Sequence, residues 1–89
     1  MKRILFVDDE PKVLEDLERM LYPLRKEWCM VFASSGQEAL RLLSESDYDV
    51  LITDLRMPQM SGAELLEQVI TAHPQVVRMI LSGPADVTL

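Results

Sequence analysis

The sequence predicts an α/β fold on a parallel sheet, and three observations carry that expectation. Short, continuous apolar runs recur at residues 4–7, 29–33, 50–53 and 76–81, the last broken only by Arg78. Continuous rather than alternating apolarity marks strands buried on both faces, as in a parallel sheet covered by helices. Between the runs lie segments with apolar residues at helical spacing, joined by short connections, which makes parallel strands with right-handed crossovers the consistent topology. The plan is (βα)₃β followed by the start of a fourth helix.

Ile4-Leu5-Phe6-Val7 forms the first strand and is cut off by Asp8-Asp9-Glu10. Pro11 suits a first helical turn, where its missing N–H costs nothing. Val13, Leu14, Leu17, Met20 and Leu21 then make an apolar stripe, and Pro23 closes the helix. After the second strand, Ser35-Gly36-Gln37-Glu38 reads as a capping box, with serine at N-cap and glutamate at N3. Ala39, Leu40, Leu42 and Leu43 supply the inward face of helix two. The third strand ends at Asp54, and after Met57-Pro58-Gln59-Met60 a second box, Ser61-Gly62-Ala63-Glu64, opens helix three. Leu65, Leu66, Val69 and Ile70 are its predicted inward residues, and Pro74 its end. Ser82-Gly83-Pro84 turns the chain after strand four, and residues 85–89 open the fourth helix.

At 89 residues, one domain is expected, and 48% apolar content is enough for a core. The 15 acidic residues against 9 basic give a net charge of −6, which disfavours nucleic acid and anionic membrane surfaces. No apolar run approaches the ~20 residues that span a bilayer. The opening apolar run stops after four residues, too short for a signal peptide. A lone cysteine, Cys29, allows no internal disulfide, and a reducing cytosol is the simplest compartment.

In a parallel α/β sheet all strands end at one edge, and ligands bind there. Asp8 and Asp9 directly follow strand one and Asp54 directly follows strand three, so neighbouring strands would bring three carboxylates together. Their repulsion favours a hard divalent cation, and magnesium suits a few carboxylates plus phosphate oxygens. An acid at a strand end can also be a helix cap, and Asp9-Glu10-Pro11 is placed to start helix one. Asp54 is not explained that way, because helix three has its own cap at Ser61. The only histidine, His73, lies at the far end of helix three, where it complements the helix dipole, and no glycine-rich phosphate loop is present. A carboxylate nucleophile beside a metal remains, which suits phosphoryl transfer to aspartate. Ser82, just after strand four, offers a hydroxyl to a phosphoryl oxygen. A phosphatase with an aspartate nucleophile fits less well: its motif wants a second aspartate two residues on, where Arg56 stands.

Val7-Asp8-Asp9-Glu10-Pro11, Ile52-Thr53-Asp54-Leu55-Arg56-Met57-Pro58, Met60-Ser61-Gly62-Ala63-Glu64-Leu65 and Leu81-Ser82-Gly83 together resemble the receiver domain of bacterial two-component response regulators. The resemblance spans the whole chain and implies a flavodoxin-like, doubly wound sheet of strand order 2-1-3-4-5. It implies that Asp54 is phosphorylated by a partner histidine kinase or phosphotransfer protein. Asp9 would bind Mg²⁺ directly, Asp8 mainly through water, and the Arg56 backbone carbonyl would complete the protein ligands beside Asp54. Ser82 would be the switch hydroxyl.

The family pattern continues through the rest of helix four, strand five with its aromatic switch position, a lysine after that strand, and helix five. This sequence runs to Leu89, and its lysines are Lys2, Lys12 and Lys26, so residues 1–89 correspond to the N-terminal portion of a receiver. Without strand five, residues 76–81 form an exposed edge, and part of the sheet face beside helix one is bare. A homodimer or higher oligomer through that edge and face is the resulting expectation. The alternative function is an interaction module that keeps the fold and the acidic pocket but not the switch.

Overall fold

The computed structural model describes residues 1–81. Its elements run β1 (Lys2–Val7), α1 (Pro11–Leu21), a short 3₁₀ turn (Tyr22–Leu24), β2 (Trp28–Ala33), α2 (Gly36–Glu45), β3 (Val50–Thr53), α3 (Gly62–Ala72) and β4 (Val77–Ile80). All pairings are parallel, and the strand order is β2-β1-β3-β4. That order agrees with the first four positions implied by the family resemblance. The start of a fourth helix and Ser82 lie outside the described residues.

Right-handed crossovers put α1 on one face and α2 and α3 on the other. Leu5, Val7, Ala33 and Leu51 point toward α2 and α3 and join Ala39, Leu43, Leu65 and Val69 in one buried cluster. On the α1 face, Ile4 and Phe6 are covered, and Phe6 stacks on Phe32 with ring centroids 5.1 Å apart. The register places Val77 beyond Val50 and Met79 beyond Ile52 on that same face. Both are more than half exposed, and Ile80 on the opposite face is 47% exposed, so β4 is open on both faces.

Several local expectations need correction. Met20 is 67% exposed and Ile70 is 52% exposed, although both fit apolar helical spacing. In α3 the inward line is Gly62, Leu65 and Val69, and Ile70 lies about 100° further round the helix, past the contact surface. The α-helix does end before Pro23, at Leu21, and Pro23 itself sits in the 3₁₀ turn that follows. The first predicted capping box is open at one end. Ser35 Oγ accepts from the Glu38 N–H at 3.0 Å, but Glu38 Oε1 accepts from the N–H of Ser34, one residue further back, at 2.7 Å. The second box is complete at Ser61 and Glu64.

Candidate functional site

The acids sit where backbone pairing carries each strand one residue past its regular end. The Asp8 N–H donates to Ala33 O at 3.1 Å and the Asp54 N–H to Val7 O at 3.0 Å. With Val7 opposite Thr53, Asp8 and Asp54 follow matched positions on adjacent strands. Asp9 comes next in the β1–α1 loop. One carboxylate oxygen from each of Asp8, Asp9 and Asp54 lies within 4.8 Å of the others. The convergence expected from sequence is therefore present.

The three carboxylates are not equivalent. Asp8 is buried and Asp9 and Asp54 are half-buried. Asp8 Oδ1 accepts the Glu10 N–H at 2.9 Å, an Asx turn that leads the chain into α1. Burial pushes the Asp8 carboxyl above its ordinary range; the Glu10 amide opposes this, and the negative charges of Asp54, Asp9 and Glu10 add to it. Glu10, the residue before α1, makes no side-chain cap of its own. Asp54 Oδ1 accepts the Arg56 N–H at 3.3 Å, so Arg56 follows Asp54 closely round the loop.

An all-oxygen donor set with one carboxyl in a desolvated position fits a hard divalent cation, whose charge would offset both the burial and the repulsion that raise Asp8. The donors suit Mg²⁺ better than a softer metal, because neither histidine nor cysteine belongs to the cluster. His73 caps the opposite end of α3, its N–H donating to Val69 O at 2.7 Å. Ser82 lies outside the described residues; Leu81 before it donates its N–H to Thr53 O at 2.9 Å, alongside the end of β3.

Two glycines matter more than the sequence reading allowed. Gly62 begins α3 directly against the backbone of Asp54 and Leu55: a Cβ there would overlap Asp54 O and reach 2.7 Å from Leu55 Cα. Its N–H closes the loop by donating to Leu55 O at 2.9 Å. Gly36 begins α2 against Met60. The available signal was the repeated Ser-Gly-x-Glu at both helix starts, since capping alone does not require glycine after the serine.

Comparison with known proteins agrees with this geometry. The family model for the response regulator receiver domain matches residues 4–89, and the chain belongs to that family. A response regulator receiver protein of Anaeromyxobacter sp. is 38% identical over 93% of this chain, which spans only 34% of that protein. The response regulator TrrA of Thermotoga maritima, solved in complex with Mg²⁺ and BeF, superposes with a TM-score of 0.80 at 31% identity, over 98% of this chain and 77% of that one. A chain of the complex between histidine kinase ThkA and TrrA gives a TM-score of 0.83 at 31% identity, over 100% of this chain and 75% of that one. The fold is the flavodoxin-like one of receiver domains. The residues described here are thus those of a two-component receiver, a class of signalling module.

Proposed function

We propose that the chain is the phosphoacceptor module of a two-component phosphorelay, in which Asp54 takes a phosphoryl group from a sensor histidine kinase or phosphotransfer protein. The observation that carries this reading is the convergence of Asp8, Asp9 and Asp54 within 4.8 Å, with Asp54 less buried than Asp8. Asp8, Asp9, Asp54 and the Arg56 backbone carbonyl would hold Mg²⁺, which supplies positive charge against the phosphoryl oxygens. A carboxylate oxygen of Asp54 attacks phosphorus, the P–N bond of a phosphohistidine breaks, and the released imidazole takes a proton from solvent. The product is an aspartyl phosphate. Asp8 orients the loop through its bond to Glu10 and adds a carboxyl oxygen beside the acceptor. The Ser82 hydroxyl is assigned the contact to a phosphoryl oxygen that reports phosphorylation. The TrrA structures with Mg²⁺ and BeF and with a kinase support the cofactor and the partner.

In this reading residues 1–89 belong to one receiver unit, which acts in the cytoplasm as a phosphoacceptor and not as an enzyme on a separate substrate. No helix among the described residues is long and apolar enough to cross a membrane. Incubation with Mg²⁺ and acetyl phosphate, followed by intact mass measurement, tests the assignment. A phosphoryl adduct that Asp54→Asn abolishes is expected. Folded, magnesium-bound protein without an adduct would instead favour an interaction module that no longer accepts phosphate.

The 89-residue polypeptide is also assigned a homodimeric or higher state, because Val77, Met79 and Ile80 on β4 are 57%, 52% and 47% exposed. Strand edges and apolar faces of this kind drive association. Light scattering that shows a monomer at high micromolar concentration overturns that assignment.

A further inference from the structure

The loop from β3 to α3 faces the β2–α2 turn across a cleft of about 300 Å³. Ser34, Ser35 and Gln37 form one wall, Met57 and Pro58 the other, and Asp9 of the acid cluster lines the cleft as well. The two walls differ in how they are held. The β2–α2 side is fixed by hydrogen bonds: Ser35 Oγ accepts the Glu38 N–H, Glu38 Oε1 accepts the Ser34 N–H, and Ser35 O accepts the Ala39 N–H. The loop side is pinned at its base by the bond from Gly62 N–H to Leu55 O. Its outer limb meets the opposite wall through Met60, which lies flat on Gly36. A Cβ at position 36 would stand 2.7 Å from Met60 Sδ and 3.2 Å from its Cβ and Cγ.

We infer that Met60, seated on Gly36, is a positioning residue for the acid site. Asp54 itself is held by its main-chain bond to Val7. Met60 sets how the outer limb of the loop, from Arg56 to Met60, stands against the wall that includes Asp9, and through the Arg56 carbonyl the affinity for the divalent cation. The inference rests on the magnesium reading given above. Its physical basis is the asymmetry of the walls: one is a hydrogen-bonded helix start, and the other meets it through Met60, a flexible side chain that packs on the core and has Gln68 Nε2 4.0 Å from its sulfur. Gly36 serves the same end, because a Cβ there would press on Met60 at its Sδ, Cβ and Cγ.

Calorimetric titration of the full chain with MgCl₂ provides the test. Met60→Ala should weaken Mg²⁺ binding roughly tenfold, the lower end of the loss seen when groups supporting metal ligands are removed. Met60→Leu, which refills the space over Gly36, should restore affinity close to that of the native chain. Gly36→Ala should also weaken binding, and combining it with Met60→Ala should add little, as expected for two residues acting through one contact. In methyl-labelled native protein the Met60 resonance should move on Mg²⁺ addition, whereas that of Met1 should not. Unchanged affinity in folded Met60→Ala overturns the inference while leaving the magnesium site intact. Native protein that binds no Mg²⁺ overturns the site and the inference together. If Met60→Ala fails to fold, a Met60 methyl unmoved at saturating Mg²⁺ overturns the positioning role.

Discussion

The two faces of the sheet are built to different standards. Under α2 and α3, Leu5, Ala33, Leu51, Leu65 and Val69 have no exposed surface at all, and both helices begin with a serine cap. Under α1, no helical residue is fully buried, the helix begins without a side-chain cap, and Val77 and Met79 stand open. The acid cluster sits at the end of the two strands that share the core under α2 and α3, and the exposed residues lie on both faces of the edge strand β4.

Paired substitutions across the sheet would break or sharpen that contrast. Leu51→Ala, in the core under α2 and α3, should cost about 2–5 kcal/mol in chemical unfolding. Met79→Ala, on the edge strand β4, should stay within about 0.5 kcal/mol and show its effect as weaker self-association in sedimentation. Gly62→Ala comes next, because its Cβ would overlap the Asp54 carbonyl. A loss of about 1–3 kcal/mol is expected, with weaker Mg²⁺ binding as the sign that the acid loop has moved. Ser61→Ala should remove about 1 kcal/mol by opening the capping box, whereas Glu10→Ala at the uncapped start of α1 should leave the unfolding midpoint nearly unchanged.

The smallest effect has the opposite sign. The folded-state pKa of Asp8 is raised above its ordinary 3.8, so the stability linked to this group is fully present below that value. It is lost as pH rises through the elevated folded value, and the ionised carboxylate destabilises the metal-free fold at neutral pH. Asp8→Asn should therefore melt slightly higher than the native chain at neutral pH without metal. The advantage should shrink as the pH falls toward 3.8, and it should reverse when Mg²⁺ is added, since only the native chain gains from the ion.

The parts of the fold that follow from chain-local patterns were legible in the sequence. Four apolar runs ending in acids or turns gave the strands, and the spacing of Leu65 and Val69 gave the seated side of α3. The placement of Asp8, Asp9 and Asp54 was legible because a parallel sheet aligns strand ends. What depended on which surface a neighbour covers was not. Met20 and Ile70 satisfy helical periodicity yet stay more than half exposed, and Glu38 chose Ser34 over Ser35, a choice of one residue that a motif does not encode. The closeness of Gly62 to Asp54 and of Gly36 to Met60 arises between segments far apart in sequence, so only the packed molecule displays it.

The matched register of Val7 and Thr53 has a consequence for how such a site can change. Main-chain bonds from Asp8 and Asp54 to neighbouring strands fix where positions 8 and 54 stand, whatever side chains occupy them. Position and chemistry are therefore inherited separately. Substitutions at 8, 9 and 54 can alter charge, metal preference or reactivity while the scaffold holds its shape. An insertion within β1 or β3 would instead rotate the acids to opposite sides of the sheet and erase the site, even with every functional residue retained.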